Sequence, residues 1–529
     1  SSFYRMCRGA LWGAAGSMAA ATCRALLLLA ALPLCLGGGV NGSDGNASGV
    51  SHVHLSLSSS GWPVVTWSAE LPNLSVPLAR DRVRSQGMPR DLPPWVKPCV
   101  RHGPTGGGLA EGKMATASVV EEWRGRLWSS AEITGLAEGA SYSYQCSHAH
   151  GSSNHSKGGV DREFGPRLEM RAPPLGAGGE GPGRPLRLAI VGDLAVGGSG
   201  PAIVQRILSG PPVDAAIHLG DIAGNLTDED HRRGDKFLEM VQPLASLVPY
   251  MTLPGDRDSH AAYRQFFRMP SEGEDLWYSL ALGPARLLLL CTQTLLAEGD
   301  AAERQLAWLE ASLARFSSGE ERRKRPWLIV AGHRPLYCSL RQPTCGPEAL
   351  RLRKMLEPLL RRHRVDLHLS GHLRAYERTW PVANGSLCPG QRASDAALAT
   401  GASAACAPVY IVNGDAGTPA LEYETLPARW TAHRHPGVPG HGELTVHNRT
   451  HLQYRQLQAT GGAASDEFWL LKPEVEEKLP KKPEEENFLE AIAWLAFATM
   501  SVTGTCTFIR WSHGDGLKRR DDALRHLRV

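Results

Sequence analysis

The chain has 529 residues, with hydrophobic residues at 42% and charged residues at 21%. That composition excludes wholesale disorder, and at roughly 150 residues per domain it calls for two to four segments. Lys+Arg total 57 against 53 Asp+Glu, a net charge of +4, so there is no electrostatic reason to expect a nucleic-acid partner. Gly 57 and Pro 37 favour a loop-rich α/β or β body over a helical bundle, and eleven Cys are too few for a disulfide-built miniature scaffold.

In chain order, residues 1–40 read as upstream sequence and a signal peptide. After Met18, Arg24 precedes the apolar run Ala25–Leu36, followed by Gly37–Gly39. Seven N-x-[ST] sequons, at Asn41, Asn46, Asn73, Asn154, Asn225, Asn384 and Asn448, fit a glycoprotein surface exported through the secretory pathway. Oxidising surroundings make disulfides expected, and Cys338 with Cys345 is the expected pair.

Residues 51–172 alternate apolar and polar in short runs such as Val53–Leu57, Val64–Trp67 and Tyr142–Tyr144. Period-two patterning with Gly and Pro punctuation predicts an antiparallel sandwich. The segment Leu136–Tyr142 resembles the loop and tyrosine of a fibronectin type III-like domain. No titratable cluster lies here, so scaffolding is the expected role. The Pro/Gly stretch Ala172–Arg187 marks a boundary.

From Leu186 to residue 472 the pattern becomes strand–loop–helix, which predicts an α/β fold. Five apolar runs end in a Gly-(Asp/His) pair: Gly192-Asp193, Gly220-Asp221, Gly255-Asp256, Gly332-His333 and Gly371-His372. Helices are expected over 301–316 and 348–363, and the run Glu320–Arg325 is expected to be a solvated loop. Ligands of α/β folds gather beyond the carboxyl ends of strands. Five Asp and His side chains delivered there are the donors that divalent and trivalent metals take. His218 and His368 fall inside strand runs and are expected to pack.

Residues 473–487 form a charged linker, and Phe488–Ile509 is apolar apart from Glu490 and a few hydroxyls. Its length suits a membrane-spanning helix, and the basic residues Arg510, Lys518, Arg519, Arg520, Arg525 and Arg528 suit a short cytosolic tail. The expectation is a type I membrane protein at the cell surface, extracellular or lysosomal in its bulk.

The string Gly371-His-Leu-Arg-Ala-Tyr-Glu-Arg-Thr-Trp380 resembles the GHxHAYERTxP motif of purple acid phosphatases. Gly332–Cys338, Leu276–Ser279 and the terminal stretch Gly442–Leu471, as a C-terminal module over about 405–472, are similar to further motifs of that family, in the family's order. The resemblance implies a calcineurin-like metallophosphoesterase αββα domain after the sandwich, and hydrolysis of phosphate monoesters. It implies iron with iron, zinc or manganese. Carried over, Asp193 matches the iron-side aspartate and Asp221 the bridging one, with Asp256, His333 and His372 completing the second metal's set.

The chain departs from the family pattern at four points, the mildest being Asp256 where the family has Asn, which keeps an oxygen ligand and adds negative charge. The ligating tyrosine is Gly224, the second histidine of GHxH is Arg374, and the phosphate-facing histidine of the GNH motif is Arg257. Arg374 has no lone pair to offer a metal. Two alternatives follow. Arg374 pairs with Asp193 and Asp221 in place of an ion while Arg257 grips phosphate, leaving one metal; or Asp193 and Asp221 hold a second ion with extra waters. His260 is a candidate stand-in for the lost histidine. The competing expectation is a silent pseudophosphatase that binds phosphate or a cell-surface partner.

Overall fold

A computed structural model describes residues 49–70, 98–149, 162–174, 184–271, 276–340, 343–388, 397–399, 406–417, 426–435, 438–461 and 463–472. The expected signal peptide, the linker, the apolar segment 488–509, the basic tail and sequons Asn41, Asn46, Asn73 and Asn154 lie outside them. Among the described residues no helix is long and apolar enough to cross a membrane.

Among the described residues the first body has nine strands: β1 Val50–Leu57, β2 Pro63–Glu70, β3 Cys99–Pro104, β4 Lys113–Thr116, β5 Val119–Trp123, β6 Arg126–Glu132, β7 Ser141–Ala149, β8 Arg162–Phe164 and β9 Leu168–Arg171. They form a four-stranded sheet, β1-β2-β6-β5, and a five-stranded sheet, β4-β3-β7-β8 with β9 beside β7. Leu55, Val65 and Trp67 of one sheet pack against Val100, Tyr144 and Met170 of the other. Alternate side chains of each strand thus make the shared core, which is what period-two patterning requires. The Tyr142 hydroxyl accepts from the Ala137 backbone N–H at 2.8 Å, closing the loop flagged in the sequence. The sandwich also grips its neighbour: Tyr144 Oη donates to the Ser246 carbonyl, and Trp128 packs edge-on against Phe266.

The second body is layered. Its first sheet carries β10 Leu186–Val191, β11 Ala215–His218 and β12 Tyr250–Thr252, and its second carries β13 Tyr278–Leu282, β14 Ala285–Leu290, β15 Trp327–Gly332 and β16 Leu367–Ser370. The remaining strands are β17 Tyr376–Thr379, β18 Val382–Ala383, β19 Ser386–Leu387, β20 Ala397–Ala399, β21 Val409–Asn413, β22 Thr431–His435, β23 Gly440–Val446, β24 His451–Gln458 and β25 Ala464–Leu471. Strand orders are β12-β11-β10-β23-β24-β25-β20 and β13-β14-β15-β16-β21-β17-β22, while β18 and β19 form a separate hairpin.

The strand sequences explain the layers. Leu287 and Leu289 of β14 face Leu188, Ile190 and Ile217 of the opposite sheet in one core. Leu288 and Leu290 face outward, onto helices α5 (Asp300–Phe316) and α7 (Pro347–Arg362). The outer face of the first sheet packs on α1 (Gly200–Ser209) and α2 (Arg232–Ala245). Strands buried on both faces read as continuous apolar runs, as these do. Helix–sheet–sheet–helix is the expected αββα order. Shorter helices are α3 His260–Phe266, α4 Thr292–Ala297 and α6 Gly319–Lys324. The last corrects the loop expected over 320–325: charged residues with good helix propensity form a turn and a half that buries none of its side chains.

The terminal module is stitched into the body. Strand β23 pairs antiparallel with β10, Leu188 opposite Leu444. Asp466 of β25 takes a forked bond from Arg378 of β17, at 2.7 and 3.0 Å, and a third from Tyr376 Oη at 2.7 Å. Both charges are nearly inaccessible, at 3% and 5% exposure. Burial opposes ionisation of Asp466, but Arg378 wins and holds the carboxyl below its usual range. Cys338–Cys345 is a disulfide, as expected, and Cys388–Cys406 is a second. Sequons Asn384 and Asn448 are exposed, and Asn225 is half-buried.

Replacing Asp466 with Ala strands a buried guanidinium and should cost about 3–5 kcal/mol, measured by denaturant unfolding. Because the folded carboxyl is lowered, its stabilisation is complete above about pH 4 and is lost as pH falls through the folded value. Asp466→Asn should therefore flatten the acid limb of a stability–pH curve.

Candidate metal centre

Strands β10, β11 and β12 are parallel neighbours, as are β14, β15 and β16, so their carboxyl ends open at one pole. Each Gly-(Asp/His) pair sits at or just past such an end, from Gly332, the last residue of β15, to Gly255, three residues past the end of β12. Asp193, Asp221 and His372 adopt left-handed backbone, with φ of 60°, 53° and 67°. Non-glycine residues rarely accept that region, and strain of this kind clusters at functional sites. The preceding glycines are required by close approach: a Cβ on Gly220, itself at φ +89°, would lie 2.6 Å from His333 Nδ1.

One ligand atom each from Asp221, Asp256, His333 and His372 falls within 4.8 Å of all the others. Asp256 Oδ1 lies 2.8 Å from both His333 Nε2 and His372 Nδ1. His333 Nε2 is 3.3 Å from Asp221 Oδ1 and 3.2 Å from His372 Nδ1. The far side of each ring is tied down. His333 Nδ1–H donates to the Leu219 carbonyl at 2.7 Å, and His372 Nε2 is 3.0 Å from Thr344 Oγ1. The Leu219 carbonyl selects the His333 tautomer whose inward nitrogen keeps its lone pair for a metal, and Thr344 orients the His372 ring. Two carboxylates and two oriented imidazoles fit one ion of the zinc, manganese or iron type.

Asp193 stands beside this group and is not part of it. Its Oδ2 accepts from the His372 backbone N–H at 2.7 Å, and burial pushes its carboxyl well above the usual range. Burial opposes protonation of His333, yet its bonds to Asp221 and Asp256 prevail and raise it well above an ordinary histidine. Asp256 is depressed by the two rings despite burial. A positive centre between these carboxylates is therefore what the pole is built to hold.

The other half-site is poor. Gly224 contributes no side chain, and Arg374 is half-buried and forms no ion pair with Asp193 or Asp221 among the described residues. The expectation that Arg374 pairs with those carboxylates is thus corrected: Arg257 takes that place, its Nε 3.5 Å from Asp221 Oδ2 and its backbone N–H on Asp221 Oδ1 at 3.1 Å. His260 begins α3 with its Nε2 3.8 Å from Cys291 Sγ, outside the ligand group. His218 and His368 are fully buried and burial lowers both to about 3, which agrees with packing.

Three residues escaped the sequence reading. Asp258, wholly buried and pushed up to about 7 by burial, accepts from the Gly255 and Ile222 backbones at 2.8 and 3.2 Å and joins the two aspartate loops. Arg334 places Nη2 3.3 Å from Asp256 Oδ2 and also pairs with Glu348. Thr344 sits next to Cys345, inside the disulfide loop. Only Asp258 and Arg334 had a signal, their adjacency to candidate ligands.

Residues 186–375 match the calcineurin-like phosphoesterase family, and 407–467 match the iron/zinc purple acid phosphatase-like protein C family. Human acid phosphatase type 7 is 32% identical over 483 residues, covering 85% of this chain and 96% of that protein. The chain belongs to the purple acid phosphatase family. Arabidopsis purple acid phosphatase 18 is 29% identical over 61% of this chain and 69% of its own length. A purple acid phosphatase from yellow lupin seeds shares the fold, with TM-score 0.64 at 19% identity over 81% of this chain and 75% of that one.

Thr344→Val should loosen His372 and lower metal affinity about 10- to 100-fold, read by metal content after dialysis against a weak chelator. Wild type should retain one ion per chain under the same conditions, and Asp221→Ala none.

Proposed function

We propose that the chain hydrolyses phosphate monoesters at a metal centre held by Asp221, Asp256, His333 and His372. The observation that carries this reading is the four-ligand group with both imidazoles oriented from behind. A bound ion of iron, zinc or manganese would supply Lewis acidity toward phosphoryl oxygens and lower the pKa of a bound water, and a trivalent ion would do so far enough to act in acid. The protein's own groups do the rest. Arg257, half-exposed and leaning on Asp221 through Nε, presents the outer edge of its guanidinium to the cleft. That planar fork suits two phosphate oxygens. Arg334 steadies Asp256, and Asp258 fixes the spacing of the two aspartate loops.

The metal-poor half-site sets the expected rate. Fixed guanidinium charge neutralises phosphate but cannot activate water, so turnover on the order of 10³-fold below a two-metal enzyme is expected. The same observation favours a second reading, a phosphate-binding protein with negligible turnover.

The sandwich is read as a fibronectin type III-like scaffold, on the strength of its tyrosine-closed loop. Exposed sequons and two disulfides support a secretory setting, with residues 488–509 as the membrane anchor on their sequence alone. Protease digestion of the tail from outside intact membranes would refute that orientation.

Purified chain with metal restored should hydrolyse a chromogenic phosphate ester at acid pH, and Asp221→Ala should not. Equal rates from the two would establish the silent reading.

A further inference from the structure

The sandwich reaches toward the metal pole through one hairpin. Strands β5 and β6 are joined by Arg124 and Gly125, at φ of 52° and 72°, with Trp123 paired opposite Arg126. Two central residues at positive φ make the tight turn whose twist matches the strands on either side. The hairpin packs on the two helices that follow the aspartate loops. Helix α2 is capped by His231, ten residues after Asp221, and α3 ends at Phe266, ten residues after Asp256. Half-buried Trp123 stands edge-to-face on both. Its ring centre is 5.2 Å from that of His231 and 4.9 Å from that of Phe266, at interplanar angles of 79° and 87°. Ion pairs brace it on either side: Arg124 Nη1 lies 2.8 Å from Asp235 Oδ2 on α2, and Glu121 pairs with Arg268 just past α3. The two helices meet each other where Gly234 leaves no room for a Cβ against the Phe266 ring.

Neither connection from aspartate to helix has much slack. Between Asp221 and His231 run backbone-bonded turns: Gly224 N–H donates to Asp221 O at 3.3 Å, Asp228 to Asn225 at 3.3 Å, and His231 to Thr227 at 3.1 Å. Glu229, Asp230 and His231 close the series in left-handed backbone, at φ of 56°, 57° and 64°. L-residues avoid that conformation in runs, and it persists only where the surrounding structure holds it. The exposed pairs of Glu229 with Lys236 and Arg233 are weak restraints. The edge of Trp123 against His231 is the restraint that the sandwich supplies. Beyond Asp256, the Asp258 N–H donates to Gly255 O at 3.3 Å and the Tyr263 N–H to Ser259 O at 2.8 Å, which leads directly into α3. Asp258 ties Ile222 to Gly255, so the two arms also share a cross-brace. A shift of Trp123 is thus felt at both aspartates.

We propose that Trp123 is a positioning residue for the metal centre: by fixing the spacing of α2 and α3 it holds Asp221 and Asp256 at the separation that one ion requires. The inference rests on the four-ligand reading of the pole, and it gives the sandwich a part in the site beyond scaffolding. Ligand geometry tolerates errors of only about 0.5 Å, so the groups that lock the supporting elements count in metal affinity.

The test is titration of the metal-stripped full-length chain with cobalt(II), whose visible absorption reports the geometry of its ligands. Wild type should take up one ion. Trp123→Ala should bind cobalt about tenfold more weakly, the scale of its two ring pairs, and with an altered spectrum. Trp123→Leu keeps apolar bulk at the interface and should show the same change in smaller measure, which decides the matter if the alanine variant does not fold. Trp123→Phe restores a ring edge and should return close to wild type. Tyr144→Phe is the control: it removes the bond to the Ser246 carbonyl at the far end of α2 and should leave affinity and spectrum unchanged. Wild-type affinity and spectrum in Trp123→Leu or in folded Trp123→Ala would overturn the proposal, as would an equal loss in Tyr144→Phe. No cobalt bound by wild type would instead overturn the four-ligand reading beneath it.

Discussion

The charge balance around His333 is the interaction on which the functional pole depends. Its ring is inaccessible, wedged between Asp221 and Asp256, with the Leu219 carbonyl behind it. An uncompensated charge at such depth would cost several kcal/mol, so each member is tenable only in the presence of the others. The left-handed turns at Asp193, Asp221 and His372 are the backbone cost of bringing them together. The two packed sheets meet that cost by holding every strand end from both faces.

Because those strands belong to different sheets, the pole exists only where the sheets meet. Asp221 and Asp256 arrive from the first sheet, and His333 and His372 from the second. The inner core of Leu188, Ile190, Leu287 and Leu289 thus sets the separation of the ligands as well as the stability of the body. The disulfide Cys338–Cys345 extends this control by holding the loop whose Thr344 orients His372. The Arg378–Asp466 pair does the corresponding work for the terminal strands.

Loss of a tyrosine and a histidine has not left an inert copy of the family's pole. Gly224 brings no side chain to the pole, and Arg257 lies against Asp221. The result is an asymmetric site, with a well-formed ion cradle on one side and fixed guanidinium charge on the other. On the proposed reading, such a site binds phosphate even where water activation is weakened.

The five strand ends, the α/β class and four of the candidate ligands were legible in the sequence, and the family resemblance implied the αββα layers. Apolar runs closing on Gly-(Asp/His) report both burial on two faces and a turn at the strand's end, and both are local properties. Asp193 was read in the sequence as the iron-side ligand, and in the fold it lies beside the four-residue group, bonded to the His372 backbone across 179 residues. The partner of Asp221 was misassigned because Arg257 and Arg374 are equivalent on charge alone, and only the path of each loop separates them. Thr344 carried no signal, since it has no motif and meets His372 only in the folded chain. Sequence by itself determined which residues could ligate and where strands would end, because those follow from neighbours along the chain. Tertiary structure decided which of them meet, because side-chain contacts a few ångströms long are set by how the two sheets pack.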